Sequence, residues 1–388
     1  MMKKNEPMMR TLINVLVIIA VAGSGTGLYA SPIGEALKQI AESGKVPGIC
    51  SVVCDSNGVV TVDCVGYANV EKKTPITEDT LFWIASNTKA IAGALCLTYV
   101  QEGKIDLDAP VETYLPEWKD IQVAAKDEKG QDVLCAPAKK PTVRNLISHT
   151  AGLRFLPGGT IDYRPMRLMA HLAITMPLTH EPDTKYAYSN WGIDCAIAIV
   201  EVVSGKAWEK ALQERILDPL EMKSATFWPM EDDEPGSNLA TAYAMSTNAP
   251  YMEAVKTRHM EHPYSSRHRY AEAGGGLFMS APDYMKFLKM ILDGGKAPSG
   301  KVVLTPESIK LWCTKQTPDC EKTVYGFGMF WNEEQGSLSH GGAFSTNADV
   351  YVRKGCARVF FWQAPGGNAD TRAANSIWWQ TSRTFLGF

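Results

Sequence analysis

Beyond its first thirty residues the 388-residue sequence has no long apolar run, so no later segment can span a bilayer as a helix. It lacks a basic run as well. Its 39 Lys and Arg stand against 42 Asp and Glu, a formal net charge of −3, which excludes the electrostatic footprint of a nucleic-acid-binding chain. Cysteine is scarce: there are nine residues, an odd number, with no Cys-x-x-Cys, which excludes a disulfide scaffold, a zinc ribbon and a dithiol redox motif. Gly-x-Ser-x-Gly, the P-loop, Gly-x-Gly-x-x-Gly and His-Glu-x-x-His are all missing, and the enzyme classes built on them lose support. No internal repeat or low-complexity segment occurs.

What remains is a chain of ordinary globular composition, 45% hydrophobic and 21% charged, long enough to bury a large core. Lys3, Lys4 and Arg10 precede an apolar stretch from Leu12 to Ala22 and then Leu28-Tyr29-Ala30, the pattern of a secretory signal peptide cleaved after Ala30. Residues 31–388 are then exported to the periplasm or the medium, with no stable membrane insertion. Cys96 and Cys195 lie among apolar residues and read as small core side chains. Cys313 and Cys320 are close enough in sequence to bridge. Cys50 and Cys64 are expected not to, because only one of three registers of the turn between them would set them opposite.

The patterning predicts a helix over Ile33 to Ser43 opened by Ser31, then strands Ile49 to Cys54 and Val59 to Val65 joined by Asp55-Ser56-Asn57-Gly58. A helix follows from Asn87 to Glu102, with Gly103 as its stop. The middle reads as helical and loop-rich, with helices at Val143 to Ser148, Arg164 to Thr175, Trp191 to Val203 and Ala207 to Leu217. Later come helices at Pro282 to Leu292, capped by Ser280, and Pro306 to Trp312, capped by Thr305. Strands Val324 to Trp331, Leu338 to Gly341, Asp349 to Arg353 and Arg358 to Gln363 precede a last helix from Thr371 to Phe385. The fold class expected is α/β (α+β): one antiparallel sheet flanked by helices and built from both ends of the chain (residues 31–105 and 270–388), with an α-rich subdomain (106–269) inserted.

Three short motifs carry chemistry. Ser86-Asn87-Thr88-Lys89 is the only Ser-x-x-Lys and stands where a helix begins. There the hydroxyl meets unpaired amides and the positive helix end, and a lysine three residues on lies on the same face. A lysine whose proton affinity is lowered by burial can take or relay a serine proton. The bland alternative is a helix-capping serine and a solvated lysine. Tyr188-Ser189-Asn190 offers a phenol for general-base work and an amide to hold a carbonyl. A competing Tyr67-Ala68-Asn69 follows a strand directly and reads as a strand exit. His340-Gly341-Gly342 ends a predicted strand, its glycines letting a substrate backbone lie close.

The order of these motifs, together with Thr80-Leu81-Phe82, Glu102-Gly103-Lys104-Ile105-Asp106-Leu107-Asp108, Leu146-Ile147-Ser148-His149-Thr150-Ala151-Gly152-Leu153 and Gly274-Gly275-Gly276-Leu277-Phe278, resembles the serine β-lactamase-like superfamily. Class C β-lactamases, D-alanyl-D-alanine carboxypeptidases, D-aminopeptidases and related esterases are the nearest branches, and the resemblance spans nearly all of residues 31–388. It implies a β-lactamase/transpeptidase-like fold with its site in the cleft between sheet and α-rich parts. Ser86 would be the nucleophile of an acyl-enzyme, Lys89 and Tyr188 would share the proton work, and Asn190 would orient the substrate. The amides of Ser86 and Ala343 would form the oxyanion hole, beside Gly341 and Gly342. Many members carry Lys where this chain has His340, which favours esterase or peptidase activity over β-lactam hydrolysis.

The resemblance implies no cofactor and no metal, and a small-molecule or peptide substrate, with cell-wall peptides among the candidates. Two rivals of another class stand beside it: a metal-dependent hydrolase using His259, His262 and His268 with Glu261 between them, and a non-catalytic binding protein on the same scaffold. His149 is expected to be structural.

Overall fold

The computed structural model describes residues 31–388 apart from 43, 45, 156–164, 230–237, 246–251, 256–270 and 367–368. The expected signal segment and the His259, His262 and His268 cluster therefore lie outside the described residues. The first strands are β1 (Gly48–Asp55), β2 (Gly58–Asn69) and β3 (Thr74–Pro75). Three small pairs follow: β4 (Phe82–Trp83) with β9 (Phe278–Met279), β5 (Val123–Lys126) with β6 (Asp132–Cys135), and β7 (Tyr243–Met245) with β8 (Met252–Ala254). The last strands are β10 (Tyr325–Gly326), β11 (Met329–Asn332), β12 (Ser337–Gly341), β13 (Thr346–Tyr351) and β14 (Cys356–Phe361).

One antiparallel sheet unites the first and last groups, in the order β10-β11-β12-β13-β14-β1-β2-β3. The closing contact is β1 on β14, Cys50 opposite Phe361 through Asp55 opposite Cys356, so the sheet is built from both ends of the chain as expected. Because β1 and β14 are buried on both faces, their sequences read as near-continuous apolar runs instead of alternating. On one face Ile49, Val53, Phe360 and Trp362 pack with Ile33 and Leu37 of α1 (Pro32–Glu42). Trp378 of α9 (Ala369–Phe385) joins them. The other face carries Cys50, Val52, Val359 and Phe361 into the main core.

The remaining helices build that core: α2 (Thr88–Val100), α3 (Val143–Ile147), α4 (Met166–Ala173), α5 (Asn190–Ser204), α6 (Trp208–Leu212), α7 (Ala281–Leu292) and α8 (Pro306–Trp312). α7 lies across β1, β13 and β14, while α5 packs on α2, α3, α4 and α6. The expected caps close: Ser280 accepts from the Asp283 amide and Thr305 from that of Ser308, each satisfying an orphan donor. Two elements depart from the sequence reading. The stretch read as one strand from Val324 to Trp331 is two strands, broken at Phe327 and Gly328, which take φ of +49° and +81°. The middle of the chain, read as helices and loops, also holds the β5–β6 and β7–β8 pairs. No described helix is long and apolar enough to cross a membrane.

Candidate active site

Ser86 sits in a 3-10 turn, Ala85–Asn87, that leads into α2. It is half-buried while its neighbours Ala85 and Asn87 are buried. Ala85 holds φ +46°, a left-handed conformation that costs an L-residue roughly 1–2 kcal/mol and survives only when its surroundings over-determine it. They do. Thr346 Oγ1 donates to the Ile84 carbonyl at 2.9 Å, and Asn87 Nδ2 donates to the Thr346 carbonyl at 2.9 Å. Gly342, at the end of β12, presses against the same turn, so a Cβ there would be driven into Thr346 Oγ1 and Ile84 O. Asn87, not Ser86, is the N-cap residue of α2, and its side chain makes no cap bond. The serine is therefore not held by a capping role.

Nor is Lys89 solvated. It is fully buried, and its Nζ donates to Ser86 Oγ at 3.1 Å, to Asn190 Oδ1 at 2.7 Å and to the Gly274 carbonyl, three acceptors around one side-chain nitrogen. The same nitrogen lies 4.7 Å from the centroid of the Tyr188 ring. Two glycines let α2 come this close to the β10–β11 turn. A Cβ at Gly93 would strike the Phe327 carbonyl, and one at Gly328 the carbonyl of Lys89 itself.

Asn190 arrives from the start of α5. Ser189 caps that helix, accepting from the Gly192 amide and donating to the Arg154 carbonyl at 2.9 Å, so the middle residue of Tyr188-Ser189-Asn190 anchors the outer two. Asn190 Nδ2 donates to Glu272 Oε1 at 2.9 Å. Behind it, the fully buried Asp194 accepts on Oδ1 from the amides of Ala273 at 3.0 Å and Gly274 at 3.1 Å, which fixes the carbonyl that Lys89 uses. Among the described residues its Oδ2 has no partner. Burial, and then the neighbouring Glu272, push the Asp194 carboxyl well above the usual carboxylate range.

His340 lies in β12 against an aromatic wall. Its Nδ1 is 2.8 Å from the Gly341 carbonyl and its Nε2 3.2 Å from the Tyr325 hydroxyl. A carbonyl only accepts, so Nδ1 carries the proton and Nε2 accepts from Tyr325. Burial, and next the charge of Lys89, hold its pKa down to about 3. His149 is built similarly: at φ +59°, its Nδ1 accepts from the Ser189 amide at 3.2 Å, and its ring lies 4.5 Å from that of Tyr188 and 4.7 Å from that of Tyr325. Burial, and then the charge of Lys89, also push its pKa well below the ordinary imidazole range.

The β-lactamase family model matches residues 33–382. The chain belongs to the β-lactamase family. Protein Rv1367c of Mycobacterium tuberculosis is 29% identical over 359 residues, covering 89% of this chain and 84% of its own. The lovastatin esterase of Penicillium rubens is 27% identical over 266 residues, 65% of each chain. Among solved structures, the unliganded selenomethionyl simvastatin synthase of Aspergillus terreus superposes with a TM-score of 0.77 at 20% identity, over 92% of this chain and all of the other. Other relatives are named as a hydrolase, the unguisins hydrolase of Aspergillus campestris, and an acyltransferase, that of Penicillium decumbens.

In this β-lactamase-family chain the three expected motifs converge: Ser86, Lys89 and Asn190 by direct hydrogen bonds, Tyr188 by its ring over Lys89, and the His340-Gly341-Gly342 strand end by the close approach of Gly342 to the serine turn. Ala343 follows it, its carbonyl accepting from the Gly366 amide at 2.9 Å. Tyr67 is exposed on β2, and Asn69 bonds Thr241 at 3.0 Å, a strand exit as read from the sequence. Residues that sequence reasoning missed are Asp194, Glu272 and Tyr325, which act through contacts far apart in the chain. Among the described residues no three His, Cys, Asp or Glu side chains are grouped to hold a metal ion.

Proposed function

We propose that this chain is an exported serine hydrolase that forms an acyl-enzyme at Ser86 on an uncharged ester or amide. The observation that carries this reading is the fully buried Lys89 nitrogen, 3.1 Å from Ser86 Oγ and fixed by two further acceptors. Such a contact fixes the hydroxyl for attack and stabilises negative charge as it develops on the oxygen. Ser86 Oγ attacks the acyl carbon, its proton passes to the Lys89–Tyr188 pair, and the pair returns a proton to the leaving group. Water, or an alcohol in an acyl transfer, then takes the acyl group by the reverse path. The amides of Ser86 and Ala343 stabilise the oxyanion, a contribution of ~10²-fold or more in rate. Asn190, braced by Glu272, orients the substrate, and His340, Gly341 and Gly342 form the strand edge along which it lies. A neutral His340 gives no fixed cation for a substrate carboxylate, so esters and neutral amides are favoured over β-lactams and C-terminal carboxylates.

Fluorophosphonate labelling with peptide mapping tests the assignment. One adduct is expected, on Ser86; Ser86→Ala and Lys89→Ala lose labelling and turnover, Tyr188→Phe falls ~10²-fold or more, and Tyr67→Phe stays near wild type. An adduct elsewhere, or full activity in Ser86→Ala, removes the reading. Activity that survives a chelator disposes of the metal rival. Short-chain esters, D-amino-acid amides and a chromogenic cephalosporin, each assayed with and without an added alcohol, define the acyl group and its acceptor. N-terminal sequencing of the secreted protein tests cleavage after Ala30.

A further inference from the structure

Cys50 and Cys64 face one another across β1 and β2, contrary to the register expected from the sequence. The turn pairs Asp55 with Gly58, and continued without interruption that spacing would set Cys50 opposite Asp63. An irregularity at Val53/Cys54 leaves an extra residue on β2 and moves the partner to Cys64. The pair is also of the closer kind. Tyr67 donates its amide to the Pro47 carbonyl at 2.8 Å, which makes 47 and 67 a hydrogen-bonded pair. Three steps along the same register, 50 and 64 form a non-hydrogen-bonded pair, whose Cα atoms lie ~4.5 Å apart, within the span a disulfide bridges.

The two Sγ atoms are 3.2 Å apart, with Cys64 hydrogen-bonded to Cys50. Cys50 is fully buried in the main core, whereas Cys64 is half-buried at its margin. Its contact with Cys64, followed by burial, raises the Cys50 thiol well above its ordinary range, and the half-buried Cys64 is the sulfur placed to meet an oxidant first.

We infer that Cys50 and Cys64 are an oxidisable pair that closes into a cross-strand disulfide tying β1 to β2. The oxidant is another disulfide, small-molecule or protein. Cys64, deprotonated, attacks one sulfur of that disulfide and releases its first thiolate. Cys50, deprotonated in turn, attacks Cys64 Sγ and expels the second. Two cysteine thiols are oxidised, one disulfide is reduced to two thiols, and the protons lost by the cysteines end on the released thiols. The bond needs only a small closing movement of two side chains whose backbones are already paired. It pins the irregular register beside β14 and leaves the Ser86 cleft untouched.

The full chain, fully reduced, is incubated with oxidised glutathione both as the native protein and during refolding, so that slow access in the folded state is not mistaken for inability. After quenching, unfolding, alkylation and digestion without reductant, a Cys50–Cys64 linked peptide is expected, about 2 Da below the sum of its reduced parts. Cys96 and Cys195 are expected alkylated. The oxidised protein should melt about 3 °C or more above the reduced one, a difference that Cys64→Ser abolishes while ester turnover stays unchanged. Recovery of both Cys50 and Cys64 as alkylated thiols from both incubations overturns the inference. So does a link from either to a third cysteine, or a glutathione adduct on Cys64 that Cys50 never resolves.

Discussion

His340 stands where the resemblance to serine β-lactamases led to the expectation of a lysine in many members, and its sequence context left open a histidine that titrates near neutrality. Both ring nitrogens are engaged within the protein, and the folded pKa of about 3 lies far below the ordinary 6.5. Between those values the unfolded chain binds a proton that the folded one refuses, so this contribution to stability is complete above pH 6.5 and is lost as pH falls toward 3. Urea unfolding from pH 4 to 7.5 should show it: His340→Gln flattens the acid limb by up to about 1.4 kcal/mol per pH unit. Equal limbs in the two proteins would mean that the imidazole is already charged in the fold. Asp194 runs with the opposite sign. Its folded pKa is raised above 3.8, so the carboxyl favours the fold at low pH and weighs against it as pH rises through the folded value. Asp194→Asn keeps an acceptor for the Ala273 and Gly274 amides without the charge. It should raise the urea midpoint at pH 7, with the gain vanishing below about pH 4. Asp194→Ala leaves two buried N–H groups unpaired and should cost about 2 kcal/mol or more at any pH. If Asn and Ala are equally damaging at pH 7, the site needs the carboxylate.

At the scale of elements, the placement of α2 rests on glycine. Gly93→Ala pushes a methyl into the Phe327 carbonyl, and the helix that carries Lys89 must shift to admit it. A loss of roughly 1–3 kcal/mol is expected, with a fall in acylation rate beyond what stability explains. Gly103→Ala is the control: at φ +70° with open space around it, it should cost about 1 kcal/mol and leave acylation alone. Acylation unchanged in Gly93→Ala would show that α2 tolerates the shift. The contrast marks how far the sequence could be read. Ser86, Lys89 and the helix after them were legible because a helix start and a three-residue spacing are local, as were the caps Ser280 and Thr305. Nothing in the sequence around Gly93 or Gly328 marks them, because what requires glycine there is a backbone far away in the chain. The β1–β2 register failed to show for a related reason, since one unpaired residue on β2 shifts every partner beyond it.

At the scale of the whole molecule, a buried cation helps tie the sheet to α9. Arg358, in β14, is fully buried; it donates to Asp349 Oδ2 at 2.9 Å, to Ser382 Oγ at 2.7 Å, to the Trp379 carbonyl at 3.1 Å and to the Tyr351 hydroxyl at 2.7 Å. Arg358→Ala strands the Asp349 carboxyl and should cost about 3–5 kcal/mol. Adding Asp349→Asn should recover part of that in a double-mutant cycle, and strict additivity would show that the pair is not coupled. The β1–β14 pairing carries a different consequence, one for the making of the protein. Its partners lie about 300 residues apart, a separation of the kind that slows folding through loop-closure entropy. On the ribosome the β1–β2 hairpin exists long before β14 does, with an apolar edge on both faces and nothing to pair with. Until the last strands emerge, the nascent chain cannot finish its sheet, and for that interval it is open to misassociation.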